Sequence, residues 1–142
     1  MDYFKAMEIS AAGMTAQKAR IEAATVNLAN MNTSAAPGAV GFRPVKAVIH
    51  AEPATFSAQM RPGDSVPMLA KAEFAVQASA PRLAYEPGHP HADASGMVAY
   101  PAVDHTQEML TVMTAMRNYE ANLAVLHISR TLATKALDIG GQ

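Results

Sequence analysis

Cysteine is missing from this 142-residue chain. That removes disulfides, thiolate nucleophiles and thiolate-ligated zinc in one step. It leaves the compartment open, because a chain without Cys tolerates any redox poise. Tryptophan is missing too, and there are only 4 Phe and 4 Tyr. A thick core built on aromatic anchors is not expected. Excess charge is also lacking, with a net charge of −1 and a pI of about 6.5. No long-range field of either sign draws this chain to nucleic acid or to an anionic membrane. No apolar run reaches the ~18 residues of a transmembrane helix. The start, Met1-Asp2-Tyr3-Phe4-Lys5-Ala6-Met7-Glu8, lacks the basic-then-apolar layout of a secretory signal. If the protein leaves the cytoplasm, it is expected to do so without signal cleavage.

Catalytic signals are equally thin. There is no phosphate-cradling Gly loop and no GxSxG. The histidines are scattered at 50, 89, 91, 105 and 127. His89-Pro90-His91 is the only close pair, with Asp93 nearby. Histidines in Pro-rich loops are usually just exposed, so no metal is expected there. Asp104, His105 and Glu108 fall at a helix start, where capping explains the carboxylates. The expectation is no catalytic residue, no cofactor and no metal, and therefore not an enzyme.

What is present is apolar in an unusual way. Half the chain is hydrophobic, and the class includes 10 Met and many Ala. Both suit helices that pack closely along a long seam. From about residue 3 to Asn30 there is no Pro, and Gly13 is the only Gly. Phe4, Met7, Ala11, Met14, Lys18, Ile21, Thr25 and Leu28 alternate steps of three and four, with Met7, Met14, Ile21 and Leu28 spaced by seven. That pattern predicts one long helix with a heptad seam, weak at Lys18 and Thr25. It is expected to end near Asn30-Met31-Asn32-Thr33, where Asn tolerates a left-handed closing turn. From about Asp104 to Leu137 a second helix is predicted, with Asp104 as N-cap and Gln107 three residues on. Its seam is Met109, Val112, Met116, Tyr119, Leu123, Leu126, Ala133 and Leu137, with Arg130 as the misfit.

The prolines cluster between the helices, at 37 to 101, so the middle is read as non-helical. Strand candidates are Phe42–Ala51, Ala72–Ser79, Arg82–Tyr85 and Met97–Tyr100. Turn clusters are Met60-Arg61-Pro62-Gly63-Asp64, Glu86-Pro87-Gly88 and Asp93-Ala94-Ser95-Gly96. There is no internal repeat. The plan is mainly α. Residues 1–33 form an N-terminal axial helix and its exit, 34–101 a small β-rich insert, and 102–142 a C-terminal axial helix. The terminal helices are expected to pack as a coiled-coil-like pair, forming one discontinuous domain.

The first helix closes on Asn27-Leu28-Ala29-Asn30-Met31-Asn32-Thr33. The last carries Glu108-Met109, then Arg117-Asn118-Tyr119-Glu120-Ala121-Asn122. Both resemble terminal motifs of the bacterial flagellar rod, hook and hook-associated proteins. The matching residues are Asn27, Asn30, Asn32 and Thr33 at one end and Glu108, Arg117, Tyr119, Glu120 and Asn122 at the other. The insert, with Tyr85-Glu86-Pro87-Gly88-His89-Pro90-His91-Ala92-Asp93, then Gly96, Val98 and Tyr100-Pro101, resembles the proximal-rod branch of that family. Met97 and Ala102 depart from the branch pattern, and residues 50–72 match it weakly.

The resemblance implies a structural subunit of the proximal rod, a shaft that carries motor torque across the periplasm in the basal body. It implies export by the flagellar type III apparatus and polymerisation through the terminal helices. The implied partners are other copies of the chain, the rod proteins FlgB, FlgF and FlgG, and the adaptor FliE. The interface residues would be Met7, Met14, Ile21, Leu28, Met109, Met116, Tyr119, Leu123 and Leu126. A second reading is a helical-hairpin adaptor or export chaperone that holds client helices. Such a module would be stable alone and would not need a strand-rich insert.

Overall fold

Two long helices enclose four short strands in chain order. The computed structural model describes residues 3–54 and 67–140. The elements are α1 (Tyr3–Asn30), β1 (Val45–Pro53), β2 (Met68–Val76), β3 (Arg82–Tyr85), β4 (Met97–Tyr100) and α2 (His105–Gly140). The mainly helical plan with a small β region is observed. The β region forms two two-stranded sheets, β1 with β2 and β3 with β4.

Local chemistry explains the boundaries. Asp104 caps α2 as expected: its Oδ1 accepts from Thr106 N at 2.8 Å and Gln107 N at 3.2 Å. α1 ends at Asn30 as expected, but not through a left-handed turn. No described non-Gly residue has a positive φ, so no Asn takes a left-handed turn. Instead Asn30 Nδ2 donates to Val26 O at 2.8 Å, capturing a carbonyl of the final turns. Thr33 N then donates to Asn30 O at 3.0 Å, closing a short turn.

β1 begins at Val45 rather than Phe42, one residue after Pro44, which has no N–H for a ladder. Pro44 O accepts from Gln77 N at 2.8 Å, and Pro67 O accepts from Ala54 N at 3.1 Å. The start of one strand thus meets the end of the other, an antiparallel arrangement. β2 spans Met68–Val76 instead of Ala72–Ser79. Its start, Met68-Leu69-Ala70, carries little of the β-branched or aromatic signal that marks strands. β3 and β4 match expectation and pair antiparallel, Arg82 with Tyr100 and Tyr85 with Met97. The turn expected at 60–64 lies outside the described residues.

The described residues group into two compact units. One comprises Met1–Ala19, Val48–Glu73 and Thr114–Gln142. Within it, Ser10, Ala16, Ala115 and Ser129 are buried. A Cβ added at Gly13 would lie 2.9 Å from Asn122 Nδ2 and 3.2 Å from its Cγ. The two helices therefore touch at Gly13, where a side chain would have to push the Asn122 amide aside.

The other unit comprises Arg20–Ala47 and Phe74–Met113. Its interior is Ala23, Ala24, Asn27, Ala47, Val98 and Ala99. After α1 the chain reaches Ala35, which exchanges both backbone hydrogen bonds with Ala99 at 2.9 Å. Val98, fully enclosed, is the largest buried apolar side chain described.

The helices bury part of the expected seam together with small residues beside it. On α1 the buried residues are small or polar, namely Ser10, Ala16, Ala23, Ala24 and Asn27. Met7, Met14, Ile21 and Leu28 are half-buried beside them. On α2, Val112, Ala115, Asn122, Leu126, Ser129 and Ala133 are buried or half-buried, at helical spacing. Met109, Met116 and Leu123 are 42%, 49% and 36% exposed, and Leu137 is 75% exposed. Close approach of two helices selects small side chains. Within the chain, Ala, Ser and Gly take those places and much of the Met and Leu faces outward.

Candidate functional site

Asn27 is the largest fully enclosed polar side chain described, at 1% exposure. Such a group is costly unless every polar atom is paired. Its Oδ1 accepts from Val45 N at 2.8 Å, and its Nδ2 donates to Val45 O at 2.8 Å. The amide thus imitates one rung of a β-ladder, pairing with both backbone groups of the first residue of β1. Nδ2 also donates to Glu108 Oε1 at 3.0 Å. Glu108 lies in the first turn of α2, where a carboxylate is favoured by the helix dipole. One side chain therefore ties together the end of α1, the start of the strand region and the start of α2. These residues are 18 and 81 positions apart from Asn27 in sequence.

The other motif residues are spread more widely. Asn30 ties down the last turns of α1 through Val26 O, and Asn32 and Thr33 are exposed after it. Asn122 is half-buried beside Gly13. Arg117, Tyr119 and Glu120 are exposed, with Tyr119 at 37%. The structure brings Asn27 and Glu108 into contact. It places Arg117, Tyr119 and Glu120 on the surface of α2.

The loop from Glu86 to Gly96 is ordered by its own polar groups. Asp93 Oδ1 accepts from Met97 N at 2.9 Å, Ser95 Oγ at 2.7 Å and Ser95 N at 2.9 Å. These bonds, that from Met97 first, hold the Asp93 carboxyl below its ordinary pKa. Gly96 is buried at φ 77°, and a Cβ there would meet Tyr85 Cε2 at 2.8 Å. Both facts require glycine. Tyr100 Oη donates to Glu86 Oε2 at 3.0 Å, which raises the Tyr100 pKa by favouring the neutral phenol.

The two loop histidines have structural partners. His89 Nδ1 accepts from His91 N at 3.0 Å, and His91 Nδ1 lies 3.0 Å from Ser34 Oγ. Both contacts are exposed, where a single hydrogen bond contributes at most about 1 kcal/mol. Replacing His89 and His91 together with Ala is expected to leave motility within about twofold of the parent in soft agar. Loss of swimming with loss of zinc or copper binding would show that the pair is a metal site.

An open cleft of about 600 Å³ runs beside these elements, lined by Phe42, Pro44, Val76, Pro81 and Tyr100 among others. Among the described residues its lining includes no carboxylate and no histidine. Among the described residues, no helix is long and apolar enough to cross a membrane.

The family model described as the flagellar basal body rod FlgEFG protein C-terminal matches residues 94–139. The chain is 33% identical over 133 residues to the flagellar basal-body rod protein FlgC of Escherichia coli O6:H1, covering 94% of each chain. It is 34% identical over 134 residues to that of Salmonella typhimurium, again over 94% of each. With the Bacillus subtilis protein it shares 30% identity over 149 aligned positions and 99% of each chain. The chain belongs to the FlgC family of flagellar basal-body rod proteins.

Proposed function

We propose that this chain is a structural subunit of the proximal rod, and that it polymerises through its two terminal helices into a shaft transmitting torque across the periplasm. The observation that supports this most is the apolar surface of α2. Leu110, Met113, Val125, Ile128 and Leu132 are 56%, 64%, 47%, 59% and 45% exposed, in addition to Met109, Met116 and Leu123. A helix that is apolar beyond its own buried stripe suits further helical neighbours. In this reading Met7, Met14, Ile21, Leu28, Tyr119 and Leu126 complete the interface as the helices pair in coiled-coil fashion. The neighbours are other copies of the chain, FlgB, FlgF, FlgG and FliE, and delivery is by the flagellar export apparatus. The role asks for no catalysis and no cofactor.

The monomer is expected to be only loosely held at its ends. The stripe buried within the chain consists largely of Ala, Ser and Gly, which remove little apolar area from water. Such segments are marginal alone and gain stability when neighbours supply further apolar partners. Amide hydrogen exchange on a verified monomer is expected to show folded but weakly protected helices across 3–30 and 104–137, and much stronger protection of the same segments within assembled rods. Strong protection of both segments in the monomer would instead favour a self-sufficient hairpin, the adaptor reading.

A further inference from the structure

We propose that the β1–β2 hairpin carries a site for a divalent cation of the zinc class, held by His50, Glu73 and Glu52. Such a site is independent of the role in the rod. Residues 50 and 52 lie two apart on β1 and so point to one face. Glu73 on β2 reaches the same place, and one ligand atom from each of the three lies within 4.8 Å of the other two.

The His50–Glu73 pair is in ion-pair contact, close to the spacing of two ligands on one metal. His50 Nε2 lies 3.6 Å from Glu73 Oε1, beyond the ordinary range for a hydrogen bond. Two donors on one tetrahedral zinc, each bonded at about 2.0–2.2 Å, stand roughly 3.3–3.5 Å apart. A small closure of the pair therefore reaches the edge length of a zinc tetrahedron. One imidazole and two carboxylates are also a donor set that zinc accepts, with water in the remaining position. The His50 and Glu73 side chains are 38% and 62% exposed, so an ion reaches them from solvent without rearrangement of the fold.

A built-in competitor occupies the third ligand. Lys71 Nζ donates to Glu52 Oε1 at 3.1 Å and to Oε2 at 3.2 Å. Its positive charge opposes a cation beside it and holds Glu52 away. Zinc must therefore displace Lys71 from Glu52, and this sets a signature that an incidental surface histidine would lack.

The test is calorimetric titration of the full-length chain with zinc chloride near neutral pH, together with side-chain NMR of His50. Binding at one site is expected, with the His50 signals shifted. His50→Ala and Glu73→Gln should each weaken binding by at least the ~10–100-fold typical of disturbing even a ligand's supporting partner. Lys71→Ala should tighten it, and His89→Ala with His91→Ala should leave it unchanged. Absence of saturable binding, or its survival in His50→Ala, would overturn the site. Loss on replacing His89 and His91 would move it to the other loop. Unchanged affinity in Lys71→Ala would overturn the three-ligand set.

Discussion

An Asn27→Asp strain is expected to build no functional rod and not to swim. Only one atom of the side chain changes, from an amide nitrogen to a carboxylate oxygen. That atom now faces Val45 O at 2.8 Å and Glu108 Oε1 at 3.0 Å. Two donated bonds become two oxygen–oxygen repulsions, one against a second carboxylate, in a site closed to water. An uncompensated charge of this kind costs about 3–5 kcal/mol, a large share of the ~5–15 kcal/mol of a small domain. Asn27→Ala leaves Val45 N and Val45 O unpaired, at about 1–3 kcal/mol each, but buries no charge and sets no oxygen against Glu108. Thermal unfolding of the purified chain measures both, and soft-agar swimming reads the consequence. Glu108→Gln added to Asn27→Asp restores a donor opposite the new carboxylate and should recover part of the loss. Parental stability and swimming in Asn27→Asp would show that the three-way contact does not hold these elements together.

Legibility in the sequence followed the physics of each signal. The bounds of α1 were readable because nothing between Tyr3 and Asn30 breaks a helix except one glycine. β3 and β4 were readable because turn residues bracket short runs containing Leu, Val and Tyr. β1 was shifted by Pro44, and the start of β2 was hidden in residues with weak strand preference. The phase of the helices was harder. Of the expected seam, Val112, Leu126 and Ala133 lie inward while Met109, Met116 and Leu123 lie outward, and small residues such as Ala115 and Ser129 fill the close contacts. An amphipathic rule assumes one buried face and water on the other. It misassigns the inner stripe when large apolar residues lie outward.

The candidate site was visible only in part. Asn27 and Glu108 stood out by resemblance, as members of two separate terminal motifs. Nothing in their spacing says that they meet. They meet by a direct amide-to-carboxylate bond across 81 positions, and the other partner of Asn27, the backbone of Val45, leaves no residue-type signal in a sequence. The His50, Glu52 and Glu73 group was likewise hidden, since the pairing of β1 with β2 brings it together. Strand alternation alone relates His50 to Glu52 and says nothing of Glu73.

Met113→Asp with Met116→Asp is expected to leave the isolated chain folded and to abolish incorporation into the rod. Met113 is 64% and Met116 49% exposed, so a charge at either remains in water in the monomer. Exposed substitutions of this kind usually change stability by no more than about 0.5 kcal/mol. In a rod built through the terminal helices the same positions face other helices. Each carboxylate would there lose its water without gaining a partner, at several kcal/mol apiece. Ala115→Asp supplies the contrast. Ala115 is wholly buried within the chain, so its replacement should unfold the monomer itself. Three measurements separate the cases: thermal unfolding of purified chains, export into the periplasm, and recovery of the subunit in isolated basal bodies. The double Met variant should match the parent in the first two and vanish from the third. The Ala115 variant should already fail in the first. Swimming and normal recovery of the double Met variant would mean that this face of α2 stays in solvent, and that polymerisation uses a different surface.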